Sequence, residues 1–364
     1  MKIRPDKLNK YNASLAITTS PYDWLQMGAR LNFTRRDFTT PDTFNNVYQY
    51  IWRWGSFFLP SGSINGYDRR IMAMLKQAAD KDITTDYLRI NTFVKANITE
   101  GLTFNTDFTY AIENMNSGSQ DFSVYGLNWG SVTPSYIVSK GSTNVWRDNS
   151  KQNTWTLNAY FNYEKTFATN HNLKVMLGLN AEKEKYTYFW GNRKGIIDER
   201  FPELNLASPI GQDLDAKHTH RASAGYFGRI NYDYKDIYLL ELNGRYDGSS
   251  RFPRHSHWAF FPSVSLGYRF SEEPYFKQLR HVVSNGKLRA SFGEIGNEAV
   301  GDYMFESLIT QVDRDDVHWV DGNQENANKL PMFNTPNLVE PILTWERIPH
   351  IRGSQTDIGI VLNN

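Results

Sequence analysis

Apolar and polar residues alternate along most of this chain. Between Tyr226 and Tyr234, positions Tyr226, Gly228, Ile230, Tyr232 and Tyr234 share one side, and Arg229, Asn231 and Asp233 take most of the other. After Lys235-Asp236, Tyr238, Leu240, Leu242 and Tyr246 stand opposite Glu241, Asn243 and Arg245. Successive strand side chains point to opposite sides, so this stretch predicts a hairpin with one apolar and one polar surface.

The same period recurs. Ala13, Leu15 and Ile17 lead through a Ser20–Asp23 turn to Leu25, Met27, Ala29, Leu31 and Phe33, set against Gln26, Arg30, Asn32 and Thr34. Leu88, Ile90, Val94 and Ala96 oppose Arg89, Asn91 and Lys95. A Glu100-Gly101 turn follows, then Leu102, Phe104, Phe108 and Tyr110 against Asn105, Asp107 and Thr109. Trp155, Leu157, Ala159, Phe161 and Tyr163 alternate with Thr156, Asn158 and Asn162, and Leu173 to Ala181 return with Leu177 at the centre. Pro262, Val264, Leu266, Tyr268 and Phe270 oppose Ser263, Ser265, Gly267 and Arg269; Leu288, Ala290 and Phe292 oppose Arg289 and Ser291.

Between these units the pattern lapses over about 36–85, 114–150 and 190–217, and again after Gly296-Asn297. Ile71–Ala79 predicts a short helix within the first lapse, and the connection 271–285 a helical turn. Short and long connections are expected to alternate strictly. That rhythm fits an antiparallel up-and-down β-barrel with tight turns on one rim and long loops on the other. Several patterned strands exceed the roughly 9–11 residues that cross a bilayer at a tilt, whereas sandwich strands average about five or six.

Composition supports this reading. A mean hydropathy of -0.57 and the lack of a long apolar run exclude a membrane-spanning helix but not a barrel, whose alternating strands average out as polar. The 40 basic and 39 acidic residues are too balanced for a nucleic-acid binder. Without cysteine, disulfides, thiolate zinc sites and cysteine nucleophiles are excluded together. Residues 1–10 hold basic side chains but no apolar core of a secretory signal.

No second family of strands is evident to cover the apolar side, so lipid is its expected neighbour. Leu31, Ile90, Phe104, Phe108, Leu157, Leu177, Ile230, Leu240, Leu242, Val264 and Leu266 are then lipid-facing. Arg30, Arg89, Asn91, Asn105, Asp107, Asn158, Arg229, Asn231, Glu241, Asn243, Arg245, Arg269 and Arg289 face a lumen. Trp24, Tyr163, Tyr232, Tyr234, Tyr238, Tyr268 and Phe270 sit beside short turns, where an interfacial aromatic girdle belongs. Strand propensity is the blander alternative, and their clustering at one rim favours the girdle.

Candidate chemistry is sparse. His218/His220 and His255/His257 are spaced two apart, but no third ligand is fixed near either, so no metal is expected. The acidic run Asp313, Asp315, Asp316, Asp321 and Glu325 lacks the EF-hand frame. Asp247–Arg251 lacks the nucleophile-elbow spacing, and no phosphate-binding or dinucleotide motif occurs, so neither an enzyme nor a cofactor is expected. The loop aromatics Trp52, Trp54, Tyr125, Trp129, Trp146 and Trp319 are the candidate substrate contacts, since aromatic faces stack on sugar rings. Loop packing against a plug or a lid partner would use the same residues.

Three sequence blocks point further. Gly228-Arg-Ile-Asn-Tyr-Asp-Tyr-Lys-Asp-Ile-Tyr-Leu-Leu240, Arg245-Tyr-Asp-Gly-Ser-Ser-Arg-Phe252 and Trp258–Arg269 with Ser271-Glu-Glu-Pro-Tyr-Phe276 resemble the barrel of SusC/RagA-type TonB-dependent outer-membrane transporters of Bacteroidota. Lys287–Gly293, Gly296-Asn297, Leu343-Thr-Trp-Glu346 and Tyr48–Gly55 are also similar to that family. The resemblance implies energised uptake of oligosaccharides, glycans or peptides, a SusD-like surface lipoprotein as lid, and TonB, ExbB and ExbD as the drive. It covers one barrel segment over 1–364, with about 11–12 strands where plugged transporters have about 22. No plug domain or TonB box is recognisable, and Ile348–Gly353 interrupts the motif order. A partial barrel leaves unpaired strand edges that hydrocarbon cannot satisfy, so the chain alone is expected to be incomplete as a transporter. The alternative from another class is a non-transporting β-rich surface or adhesion protein.

Overall fold

The computed structural model describes residues 6–41, 62–128, 130–279, 285–307 and 343–359, with short pieces at 309, 320–321, 328–329, 333–335 and 339. Eleven antiparallel strands form one sheet in chain order. They are β1 (Lys7–Tyr22), β2 (Leu25–Pro41), β3 (Asp80–Thr99), β4 (Leu102–Asp121), β5 (Asn144–Phe167) and β6 (His171–Lys194). Then come β7 (Asp213–Tyr234), β8 (Tyr238–Ser249), β9 (Trp258–Tyr268), β10 (Asn285–Asn297) and β11 (Glu346–Gly359). Each strand pairs with the next in sequence, the meander that the pattern predicts. No helix among the described residues is long and apolar enough to cross a membrane.

Tight turns behave as expected at four places. At the β7–β8 turn, Lys235 and Asp236 both have positive φ (55° and 57°), and the Ile237 N–H donates to Tyr234 O at 3.0 Å. Two left-handed central residues make the twist of the turn match that of the strands. The alternation of connection lengths is less strict than expected. Residues 250–257 make a short connection on the long-loop rim, and 269–284, with 3-10 turns at Phe270–Glu272 and Pro274–Leu279, make a long one on the other.

Strands also reach well into the segments read as loops. β4 continues to Asp121, β5 begins at Asn144, β6 ends at Lys194 and β7 starts at Asp213. Where both faces of a strand are wet, nothing selects alternating hydrophobicity, so the period fades while the hydrogen-bond ladder continues. In β5 and β6 the ladder is unbroken from His171↔Phe167 to Lys194↔Asn144.

Small cores lie within the long connections. Helix α1 (Arg70–Gln77), near the helix expected over 71–79, buries Ile71 to Leu75 against Val124, Ile137 and Val138. Gln77 holds this unit by donating to Tyr125 O (2.8 Å) and accepting from Tyr125 N–H (2.9 Å). A second cluster joins Val145, Ile196 and Ala207.

Candidate functional site

Pairing register fixes which residues share a face. Leu31 lies opposite Ile90, Phe108 opposite Leu157, Phe104 opposite Phe161, and Phe161 opposite Leu177. Val175 meets Ile230, Ile230 meets Leu242, and Leu242 meets Val264; Leu240 meets Leu266. All eleven residues assigned to the apolar face therefore fall on one side of one sheet. Aromatics bound this face at both ends. Trp155 and Tyr163, Tyr226 and Tyr234, Tyr238 and Tyr246, and Phe260 and Tyr268 lie eight positions apart on their strands. Eight residues span about 26 Å of strand, or about 20 Å of height at a ~40° tilt.

Past the upper row the same face turns polar. Lys183 pairs with Trp155, Lys185 with Asn153 and His220, and Thr187 with Lys151 and His218. His220 Nδ1 lies 2.8 Å from Tyr303 Oη, and no group of metal-binding residues forms among the described residues.

The opposite face is a hydrogen-bonded polar surface. Asn158 donates to Asp107 and accepts from Asn180; Arg229 Nε donates to Asn243 Oδ1 at 2.6 Å. Asn243 Nδ2 in turn reaches Glu241 and Ser263, and Arg289 donates to Ser265. Asn91 donates to Thr109, while Asn105 donates to Thr103 on its own strand. Arg30 lies over the Phe93 ring at 5.1 Å, and Arg89 and Asn231 share this face by register. Arg269 falls just beyond β9, its N–H donated to Ile237 O, so it belongs to the rim and not to the wall.

Near the long-loop end of the polar face, distant motifs converge. Trp345 Nε1 donates to His257 O at 3.0 Å, and its ring packs on Phe252 (5.0 Å) and Phe261 (5.4 Å). Arg251 donates to Asp302 Oδ1 and Glu298 O, and Asn297 Nδ2 donates to Glu346 Oε2 at 2.8 Å. Ser250 and Ala222 exchange hydrogen bonds of 2.9 Å each. Beside this cluster a cavity of about 370 Å³ is lined by Asn180, Arg245, Asp247, Glu294, Glu298 and Trp345. Arg245 grips Asp247 in a two-pronged pair at 2.9 and 3.0 Å, the geometry of a strong charge-assisted contact. Gly225 faces this pair, and a Cβ there would collide with Asp247 Oδ1. Such a wall can bind polar or charged solutes through paired donors and acceptors.

Of the six aromatics singled out as substrate contacts, Trp52, Trp54, Trp129 and Trp319 lie outside the described residues. Trp146 is not in a loop: it is the third residue of β5, where it stacks on Trp190 of β6 at 4.4 Å and donates to Asp148. The polar stretch around it hid the strand for the reason given above. Tyr125 packs edge-on against Tyr67 and Tyr136, within the α1 unit. The convergence of Phe252, Phe261 and Trp345 has no local signature in the sequence, because Trp345 lies some ninety residues from its partners; the available signal is that each stands in a motif similar to the same family.

In the 195–212 connection, Asp198 accepts three side-chain hydrogen bonds and a backbone one from Arg200. The Arg200 side chain, then its N–H, draw the Asp198 carboxyl down to about 2.

Residues 29–362 match the family model described as TonB dependent receptor-like, beta-barrel. The chain belongs to this TonB-dependent receptor β-barrel family. It is 30% identical over 246 residues to TonB-dependent receptor P26 of Formosa agariphila, covering 67% of this chain and 23% of that protein. It is 28% identical over 206 residues to TonB-dependent receptor SusC of Bacteroides thetaiotaomicron, covering 55% of this chain and 20% of SusC. A solved structure of the RagAB peptide transporter superposes with a TM-score of 0.76 at 17% identity, over 94% of this chain and 38% of the solved one, which shows a shared fold. The chain thus spans about a quarter or less of the curated relatives it matches. Membership places this TonB-dependent receptor barrel in the outer membrane.

Proposed function

We propose that this chain forms eleven strands of the wall of a TonB-dependent transporter that takes up an oligosaccharide, glycan or peptide. The apolar face meets outer-membrane lipid, and the polar face lines the lumen. The observation that carries this reading is the apolar face closed at both ends by aromatic rows, whose height of about 20 Å is of the order of the ~25 Å apolar band of outer-membrane barrels. The likeness to SusC and to the RagAB fold supports a SusD-like lipoprotein at the long-loop rim and TonB-ExbB-ExbD as the energy source. The short-turn rim then faces the periplasm. The cavity beside Trp345 and the Trp146–Trp190 stack present ligand-binding surface to the lumen, with hydrogen-bonding groups and a flat aromatic face respectively.

Uptake by cells carrying the full-length protein tests this. Fluorescent oligosaccharides or peptides should accumulate in the periplasm, and an uncoupler should abolish the accumulation. Absence of energised uptake across both substrate classes would instead favour a non-transporting surface protein.

A further inference from the structure

On the apolar face, where β8, β9 and β10 approach the short-turn rim, lies a groove of about 610 Å³. Tyr232, Leu240, Leu266, Leu288 and Ala290 line it, almost wholly with apolar atoms, and Tyr238 and Tyr268 stand at its rim end. Its size is within the roughly 300–1,000 Å³ of small-ligand sites. Resting on the lipid facing proposed above, we propose that this groove holds an acyl chain of an aminophospholipid of the periplasmic leaflet, whose ammonium headgroup is received by Glu273 and the tyrosines around it.

The headgroup end is built by an unusual connection. Tight turns join the other strand pairs on this rim, but between β9 and β10 the chain takes 16 residues, 269–284. Ser271 is fully buried there, and Phe270 packs against Phe276 at 5.1 Å. Gly286 lies so close beneath Phe270 that a Cβ would fall on its ring. These contacts anchor the segment that carries Glu273 and Tyr275 to the groove. Tyr238 Oη donates to Glu273 Oε1 at 2.7 Å, Tyr268 Oη lies 2.6 Å from Tyr275 Oη, and the Tyr238 and Tyr268 rings stack at 5.4 Å. Among the described residues no cation pairs with Glu273, although an anion at a membrane surface attracts one.

The chemistry selects the ligand. A carboxylate flanked by aromatic rings binds an ammonium ion through charge and through the electron-rich ring faces. It repels a headgroup whose only charge is phosphate. The groove supplies continuous contact for a hydrocarbon chain immediately below, on the same face as the apolar band.

Native mass spectrometry of the full-length protein, purified in mild detergent, can count bound lipids. The probe is an equimolar mixture of phosphatidylethanolamine and phosphatidylglycerol with identical chains. Phosphatidylethanolamine should be retained about fivefold over its competitor. Glu273→Gln should bring the ratio near one, and Leu266→Trp, which fills the groove, should reduce retention of both. Equal retention in the unchanged protein, a preference untouched by Glu273→Gln, or a dimer that Leu266→Trp separates would overturn the site. Leu242→Trp lies outside the groove and reports on the facing through quenching by brominated acyl chains beyond that of the native tryptophans. Added quenching without headgroup preference rejects the lipid site and leaves the facing intact; no added quenching rejects the facing and the site with it.

Discussion

Leu242 and Phe252 lie ten residues apart and meet the hydrophobic effect in opposite ways. Leu242 sits mid-strand on the apolar face and leaves 39% of its surface uncovered by protein. Phe252, just past the end of the same strand, is fully enclosed by Trp345 and neighbouring loop residues. On the apolar face, side chains such as Leu242 are left partly uncovered by protein; beyond it, the connections of the long-loop rim assemble miniature interiors of their own. The α1 unit and the Val145–Ile196–Ala207 cluster repeat the second strategy. On the proposed lipid facing, a barrel of this type is two materials joined along each strand: a wall solvated by lipid and a self-packed mouth.

That contrast can be broken at either end. The largest effect is expected from Phe252→Ala, which should destabilise the mouth by about 3–5 kcal/mol, because the cavity cannot collapse around a deleted ring. Hydrogen exchange in the 250–257 and 298–303 segments should rise while exchange in the band stays unchanged. Next, Leu242→Arg should cost about 2–4 kcal/mol in denaturant unfolding from liposomes, whereas Phe189→Arg, on the same face but above the band, should cost about 0–1. Phe189 is 53% exposed, comparably open, so equal penalties would show that depth in the membrane is not what separates the two positions. The smallest effect concerns Asp198. Its carboxyl is held at about 2 by Arg200, below the ordinary 3.8, so the ion pair supports the loop above the ordinary value and is lost as pH falls through about 2. Exchange of the Arg200 amide should accelerate only over that acid range; acceleration already between pH 6 and 5 would contradict the pairing.

How much of this was legible in the sequence follows from the same division. Leu25 to Phe33 and Tyr238 to Tyr246 announce their strands, because one face must be apolar and the other not. Residues such as Asn149, Lys151 and Tyr186 belong to equally regular strands in which neither face is consistently apolar, so their order carries no period. The same loss hid Trp146 inside a segment that reads as a loop. On the polar face, Arg229, Asn243 and Asp107 were identifiable by alternation alone. Their partners followed only from register, which a hairpin turn fixes locally and a long connection does not. Arg251, Asn297 and Trp345 stood in recognisable motifs, yet nothing local indicated that they meet.

The length of β5 and β6 has a bearing on how the protein greets its surroundings. Of their 24 residues each, the portion of β5 from Asn144 to Thr154 lies above the upper aromatic row, about 35 Å of extended chain. On the proposed lipid facing, this makes a collar that lifts the mouth clear of the headgroups. If the long-loop rim faces outward as proposed, an antibody directed at the Trp146–Trp190 level should bind intact bacteria.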